Sequence, residues 1–286
     1  MKSDIQRAIR LLIVLSFVLT GSNILAQNNY GNNKSAGHYQ QVRNVKLYYE
    51  IYGHGKPLLL LHGNGLSLQS MYKQIDGFKN ERMVIAVDTR GHGKSSDPGE
   101  GFRYQMLAND IGIFLDSLKL NKVDVFGWSD GGILALLIAR DHDKRIDKVV
   151  AFAANTYPLD EQVADPRLFK GLKKLYASLP DTSEAQKREK QILSMVFVDP
   201  VIPDSSLNTI KIPVLVATAD HDAISLEHSV RIYKNIKNAQ FAVLNNASHF
   251  APWEDARRIN TLIREFINKP FKEKLLVPKE YSFLLE

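Results

Sequence analysis

The chain of 286 residues contains no cysteine, which removes a disulfide framework, a thiolate metal site and a lipid-modified cysteine from consideration. It also lacks a long apolar run: the N-terminal stretch Leu11 to Leu19 is about half of the roughly 20 residues a membrane-spanning helix needs. No Gly-x-Gly-x-x-Gly follows the first apolar strand and no His-x-Glu-x-x-His occurs, so neither a dinucleotide nor a metal ion is expected, and no cofactor is inferred. Low-complexity tracts and fixed-period repeats are absent too, which excludes a solenoid or an extended disordered protein. Nor is there a strong charge imbalance. The formal net charge is +6, and the lysines at 170, 173, 174, 187 and 190, with Arg188, read as solvated helix faces; no nucleic-acid partner is expected.

What is present begins with an atypical N-terminus. Lys2, Arg7 and Arg10 precede the apolar run, and Thr20, Gly21 and Ser22 lead to Ala26, the layout of a secretory signal peptide cleaved near Ala26. Export to the periplasm or the exterior follows as an expectation, with no stable membrane span in the mature chain. Residues 27–37, rich in Asn and Gly, read as an exposed linker, and the folded part is expected to start near His38.

From Tyr39 to Tyr52 two short strands suggest an antiparallel start to a sheet. Nearly continuous apolar runs then alternate with helical patterns: strands at Leu58–Leu61, Met83–Val87, Val123–Phe126, Lys148–Ala153, Val214–Thr218 and Gln240–Leu244 predict an α/β fold with a mostly parallel, doubly wound sheet. Residues 155–209 interrupt the alternation. They contain no strand pattern and read as a helical insertion, with helices near Pro166–Ser178 and Thr182–Phe197, placed to cover the strand ends as a lid. The expected organisation is a core of 38–154 and 210–268, the lid of 155–209 and a tail of 269–286.

The chemistry concentrates at Gly127-Trp-Ser-Asp-Gly131, between an apolar strand and the helical run Gly131–Arg140. Gly-x-Ser-x-Gly at such a junction is a nucleophile elbow, in which a sharp turn lifts the serine hydroxyl above the sheet. Ser129 needs a base and a group to orient that base. His249, in a polar loop after the strand ending at Leu244, and Asp222, in the loop after Val214–Thr218, supply them; Asp220 is the alternative acid.

These motifs, with Leu61-His-Gly-Asn-Gly65 and Asp88-Thr-Arg-Gly-His-Gly-Lys-Ser95, make the chain resemble the α/β-hydrolase superfamily from about residue 38 to 268. The chain order Ser129, Asp222, His249 is the one that family uses. Ala219 departs from the glycine usual at its position. The resemblance implies an acyl-enzyme on Ser129, with backbone N–H groups of Asn64 and Asp130 as the oxyanion hole. The Asp130 region is similar to the valacyclovir hydrolase or biphenyl hydrolase-like branch, where the acid after the nucleophile helps bind a substrate ammonium group. Against this stands a simpler role for Asp130, stabilising the helix dipole. Trp128 and Trp253 are candidates for an acyl pocket, core packing being the alternative. His62 and His92 are read as structural, and His54, His221 and His228 as surface or loop residues. A small-molecule ester is the expected substrate; carbon–carbon bond, lactone or amide hydrolysis, perhydrolysis and a non-catalytic ligand-binding role stay open.

Overall fold

A computed structural model describes residues 29–142 and 144–271. The N-terminal leader expected at 1–26 and the tail beyond 271 lie outside the described residues. One sheet of eight strands organises the chain: β1 (Gly37–Val42), β2 (Val45–Tyr52), β3 (Pro57–Leu61), β4 (Met83–Val87), β5 (Val123–Trp128), β6 (Ile146–Phe152), β7 (Val214–His221) and β8 (Ala239–Ser248). Their order across the sheet is β1-β2-β4-β3-β5-β6-β7-β8. The β1–β2 and β2–β4 pairs are antiparallel and the remaining pairs are parallel.

Parallel strands buried on both faces need apolar side chains on both, which is why β3 and β5 read as continuous runs. Alternate residues serve different cores. Leu59 and Leu61 with Val123 and Val125 join one apolar cluster, under helices α2 (Tyr104–Ser117) and α3 (Asp130–Asp141); Leu58, Leu60, Phe126 and Trp128 join the other. That second face is closed by α1 (Tyr72–Phe78), preceded by a 3₁₀ turn at Leu68–Met71, and later by α9 (Ala256–Asn268). The chain leaves β3 toward β4 on one side and places β5 on the other. The ends of β3 and β5 therefore form a switch point, the usual place for a site in such a sheet.

Between β6 and β7 the chain forms three helices, α4 (Pro166–Ser178), α5 (Glu184–Val198) and α6 (Asp204–Leu207). Asp165 caps α4, accepting from Arg167 N and Leu168 N, and Ser183 with Gln186 forms a capping box on α5. Leu193 and Val196 of α5, with the apolar stripe of α4, form a small separate cluster around Val163, whereas Ile192 and Met195 of α5 and Leu207 of α6 join the main core. Helix α7 (Leu226–Asn235) joins β7 to β8, and the short α8 (Ala251–Glu254) precedes α9.

Two expectations about local structure are corrected. Residues 29–36, read as an exposed linker, pack against the sheet: Tyr30 is 5% exposed, and the buried Glu50 accepts from Gly31 N and Asn33 N at 2.8 and 3.0 Å. Asparagine and glycine there serve turns that deliver two backbone donors to a buried carboxylate. Second, β8 runs four residues past Leu244. Asp220 accepts from Asn246 N and Ala247 N at 2.7 and 3.0 Å, extending the ladder with a side chain where the residues turn polar.

Candidate active site

The junction of β5 and α3 is confined by backbone. A Cβ on Gly127 would run into the carbonyl of Gly131, and one on Gly131 into the carbonyl of Leu61. Ser129 between them has φ 57° and ψ −118°, a combination sparsely populated by any residue with a Cβ and costing about 1–3 kcal/mol. Surrounding hydrogen bonds hold it: Ser129 N donates to Phe152 O at 2.9 Å, and Ser129 O accepts from Gly132 N at 2.8 Å.

The structure brings Ser129, His249 and Asp222 together. Ser129 Oγ donates to His249 Nε2 at 3.0 Å, and His249 Nδ1 donates to Asp222 Oδ1 at 2.7 Å. The carboxylate is enclosed, its side chain 1% exposed against 15% for His249. Burial pushes the Asp222 carboxyl up, but the His249 charge and hydrogen bond, with Ile224 N and Ala219 N donating to it, outweigh burial and hold it below the ordinary value. Asp220 sits elsewhere, exposed, with both oxygens engaged by the β8 backbone. Its place in the ladder removes it as the partner of His249.

Register sets the other side of the site. Leu61 pairs with Gly127, so the loop after β3 passes beside the nucleophile, and a Cβ on Gly63 would lie 3.3 Å from Ser129 Cβ. Asn64 follows directly. The Asp130 N–H opens α3 and has no intrahelical acceptor by position. Behind this loop lies a buried network that sequence left as structural: Thr89 N donates to His62 Nε2 and Gly65 N to His92 Nε2, both at 3.2 Å. Burial lowers His62 to about 3 and His92 to about 4, so both rings stay neutral and keep Nε2 as an acceptor.

The Asp130 side chain is buried and accepts from Asn64 Nδ2 at 2.9 Å. Tyr104, also buried, hydrogen-bonds to it, and Asp199 lies near enough to add repulsion. Burial lifts the Asp130 carboxyl to about 6, against the hydrogen bonds of Asn64 and Tyr104 and the attraction of His249. Among the described residues no Lys or Arg forms an ion pair with it. Tyr104 and Asp199, whose Oδ2 accepts from Tyr104 N at 2.6 Å, escaped the sequence reading because neither lies in a motif. Their chain distance from Ser129 left no local signal.

The two tryptophans stand where an acyl pocket was expected to use them, but their rings are spent on packing. Trp128 is 1% exposed, donates from Nε1 to His249 O at 2.9 Å and meets Trp253 edge to face at 4.7 Å; Trp253 Nε1 donates to Ser70 O. Trp128 thereby pins the backbone of the histidine loop, and Trp253 ties α8 to the turn at Leu68–Met71. His228 is likewise corrected from surface to interior, buried and accepting from Thr156 N at 2.9 Å. Among the described residues no three His, Asp or Glu side chains are grouped to hold a metal ion, and no helix is long and apolar enough to cross a membrane.

A strained serine between β5 and α3 on an eight-stranded sheet of this order defines the α/β-hydrolase fold. The sequence model of the family described as alpha/beta hydrolase fold matches residues 56–192, from the start of β3 into α5. YisY, an AB hydrolase superfamily protein of Bacillus subtilis, is 27% identical over 268 residues, covering 81% of this chain and 99% of its own. The human serine hydrolase BPHL is 27% identical over 255 residues, 79% of this chain and 84% of its own. Among solved structures, the enol-lactonase from Burkholderia xenovorans LB400 aligns with a TM-score of 0.68 at 23% identity, over 81% of this chain and 100% of that chain. The family model, these relatives and the sheet order together support placing the chain among the α/β-hydrolases.

Proposed function

We propose that the protein is a serine hydrolase that cleaves a small carboxylic ester through an acyl-enzyme on Ser129. The observation that carries this reading is the hydrogen-bonded chain from Ser129 Oγ through His249 to the enclosed Asp222 carboxylate. In it, His249 Nε2 takes the hydroxyl proton as Oγ attacks the carbonyl carbon, and Asp222 holds the ring and stabilises its cation. The oxyanion is received by Asn64 N–H and Asp130 N–H, each worth roughly 10²–10³ in rate. His249 then returns the proton to the departing alkoxide oxygen, and a water activated by the same nitrogen releases the acid and restores Ser129. Steady-state and burst kinetics with p-nitrophenyl acetate test it. Stoichiometric release of nitrophenolate followed by slower turnover, lost in Ser129→Ala, is expected; equal turnover by Ser129→Ala contradicts it. A panel extended to lactones, amides and vinylogous diketones separates the ester reading from other bonds broken by the same groups.

A narrower substrate class is favoured by one observation. A buried carboxylate without a cationic partner is costly, and the Asp130 charge would be offset by a substrate ammonium group next to the scissile carbonyl. An α-amino-acid ester supplies that group. The ratio of kcat/KM for an amino-acid ester over its des-amino analogue should fall in Asp130→Asn; an unchanged ratio removes Asp130 from substrate choice. The basic, apolar and small-residue layout of residues 1–26 supports export with cleavage near Ala26. N-terminal sequencing of the exported protein should begin near Gln27, and retention of Met1 would contradict it.

A further inference from the structure

We infer that the side chain of Asn64 is a positioning element that ties the oxyanion loop to the inserted helix α5, so that the oxyanion hole is complete only while that helix is seated. The inference rests on the serine-hydrolase reading and assigns a role to an amide that the reaction itself does not use. Asn64 Nδ2 carries two N–H donors, and both are spent on different elements: one on Asp130 Oδ2 at 2.9 Å, at the start of α3, the other on Ile192 O at 3.1 Å, near the middle of α5. A helix carbonyl has two lone pairs, so Ile192 O can serve its own helix and still accept from Asn64. The amide therefore cannot also reach a substrate oxyanion as a third acceptor. What it fixes is its own backbone, next to Gly63, where an added Cβ would lie 3.3 Å from Ser129 Cβ.

The geometry makes a joint of three parts. The nucleophile helix is tightly packed on one face of the sheet, and all but its last two residues are buried. The loop after β3 has its far side held by the Gly65 N–H bond to His92 Nε2. Helix α5 is seated mainly by side-chain packing: Ile192 and Met195 join the core cluster of α3, Leu193 and Val196 join the insertion's own cluster, and Asp199, just past its end, accepts from Tyr104 N. Asn64 is thus the direct polar contact between the insertion and the oxyanion loop. Loss of the α5 contact leaves the Asn64 side chain held by Asp130 alone, and a displacement of about 1 Å in a reacting group can cost on the order of 10² in rate. Coupling of this kind is reciprocal: an occupied oxyanion hole must stabilise the seated helix as much as the seated helix stabilises the hole.

The test uses the whole mature protein, with Asn64→Ala removing both donors and Asn64→Ser retaining one. With p-nitrophenyl acetate, kcat of Asn64→Ala should fall about 10-fold to 100-fold with KM little changed, and Asn64→Ser should lie between it and wild type. The second readout is amide hydrogen exchange of residues 184–198 before and after reaction with paraoxon, whose phosphoryl oxygen occupies the oxyanion hole once Ser129 is modified. Wild type should gain protection in α5 on modification and Asn64→Ala should not. Wild-type kcat in Asn64→Ala, or equal gains in both proteins, overturns the inference. Failure of paraoxon to modify wild type at Ser129 would instead overturn the hydrolase reading. In that event unmodified exchange still decides the joint: faster exchange of α5 in Asn64→Ala supports it, and unchanged exchange overturns it.

Discussion

The carboxyl ends of β3 and β5 and the insertion of α4 to α6 are joined where Asn64 donates to Ile192 O, yet they are built differently. All six residues of β5 are buried, and the elbow that follows is held by glycines against backbone carbonyls; none of the thirteen residues of α4 is buried, although its apolar stripe lies on a cluster of its own. A region packed that closely fixes reacting groups to a fraction of an ångström. A region held by a half-buried stripe and a few polar contacts can shift by repacking, which suits it to shaping what enters.

Several substitutions break or sharpen that contrast. The largest effect is expected at the elbow: Ser129→Ala should lower ester turnover by about 10⁴–10⁶ with thermal stability retained, measured by initial rates and calorimetry. Next, Phe126→Ala under the elbow should cost about 3–5 kcal/mol in chemical denaturation, whereas Phe169→Ala in α4 should cost about 1 kcal/mol or less and act on KM. Equal destabilisation by the two would erase the distinction between the regions.

Asp130 lies on the boundary between them, and its titration gives a prediction with a definite sign. Its carboxyl is raised to about 6 in the fold, above the ~3.9 of an unfolded chain, so its favourable contribution is full below about pH 4 and is lost as pH rises through 6. Asp130→Asn should therefore be more stable than wild type at pH 7.5, by on the order of 2 kcal/mol, and the gain should vanish near pH 4. Melting temperatures of both proteins across that range test it, and an advantage that persists at pH 4 would contradict it. A smaller effect than at Asp130 is expected at Trp128→Phe, which keeps an aromatic ring against Trp253 but removes the N–H donated to His249 O. It should cost about 1 kcal/mol in denaturation.

How far sequence carried the account follows from where the determining contacts lie. The strands, the elbow and the order Ser129, Asp222, His249 were legible because each is written locally, as apolar runs, glycine spacing or a residue just past a strand. Asp222 over Asp220 was only preferred until the β8 backbone showed where Asp220 is used. What stayed hidden was set by contacts across the chain. Gly31 docks because the buried Glu50 carboxylate, 19 residues away, accepts its N–H, and Trp128 packs against Trp253 as well as the His249 ring. Asn64 is the clearest case, since its second acceptor is a carbonyl 128 residues further on.

The central claim is that Ser129 is activated by His249 on Asp222, and covalent labelling addresses it most directly. A fluorophosphonate probe added to the folded mature protein, followed by intact mass and peptide mapping, should give one adduct per chain at Ser129. The adduct should be absent in Ser129→Ala and should form far more slowly in His249→Ala. A folded wild-type protein that takes no label, or equal labelling of Ser129→Ala, would contradict the account.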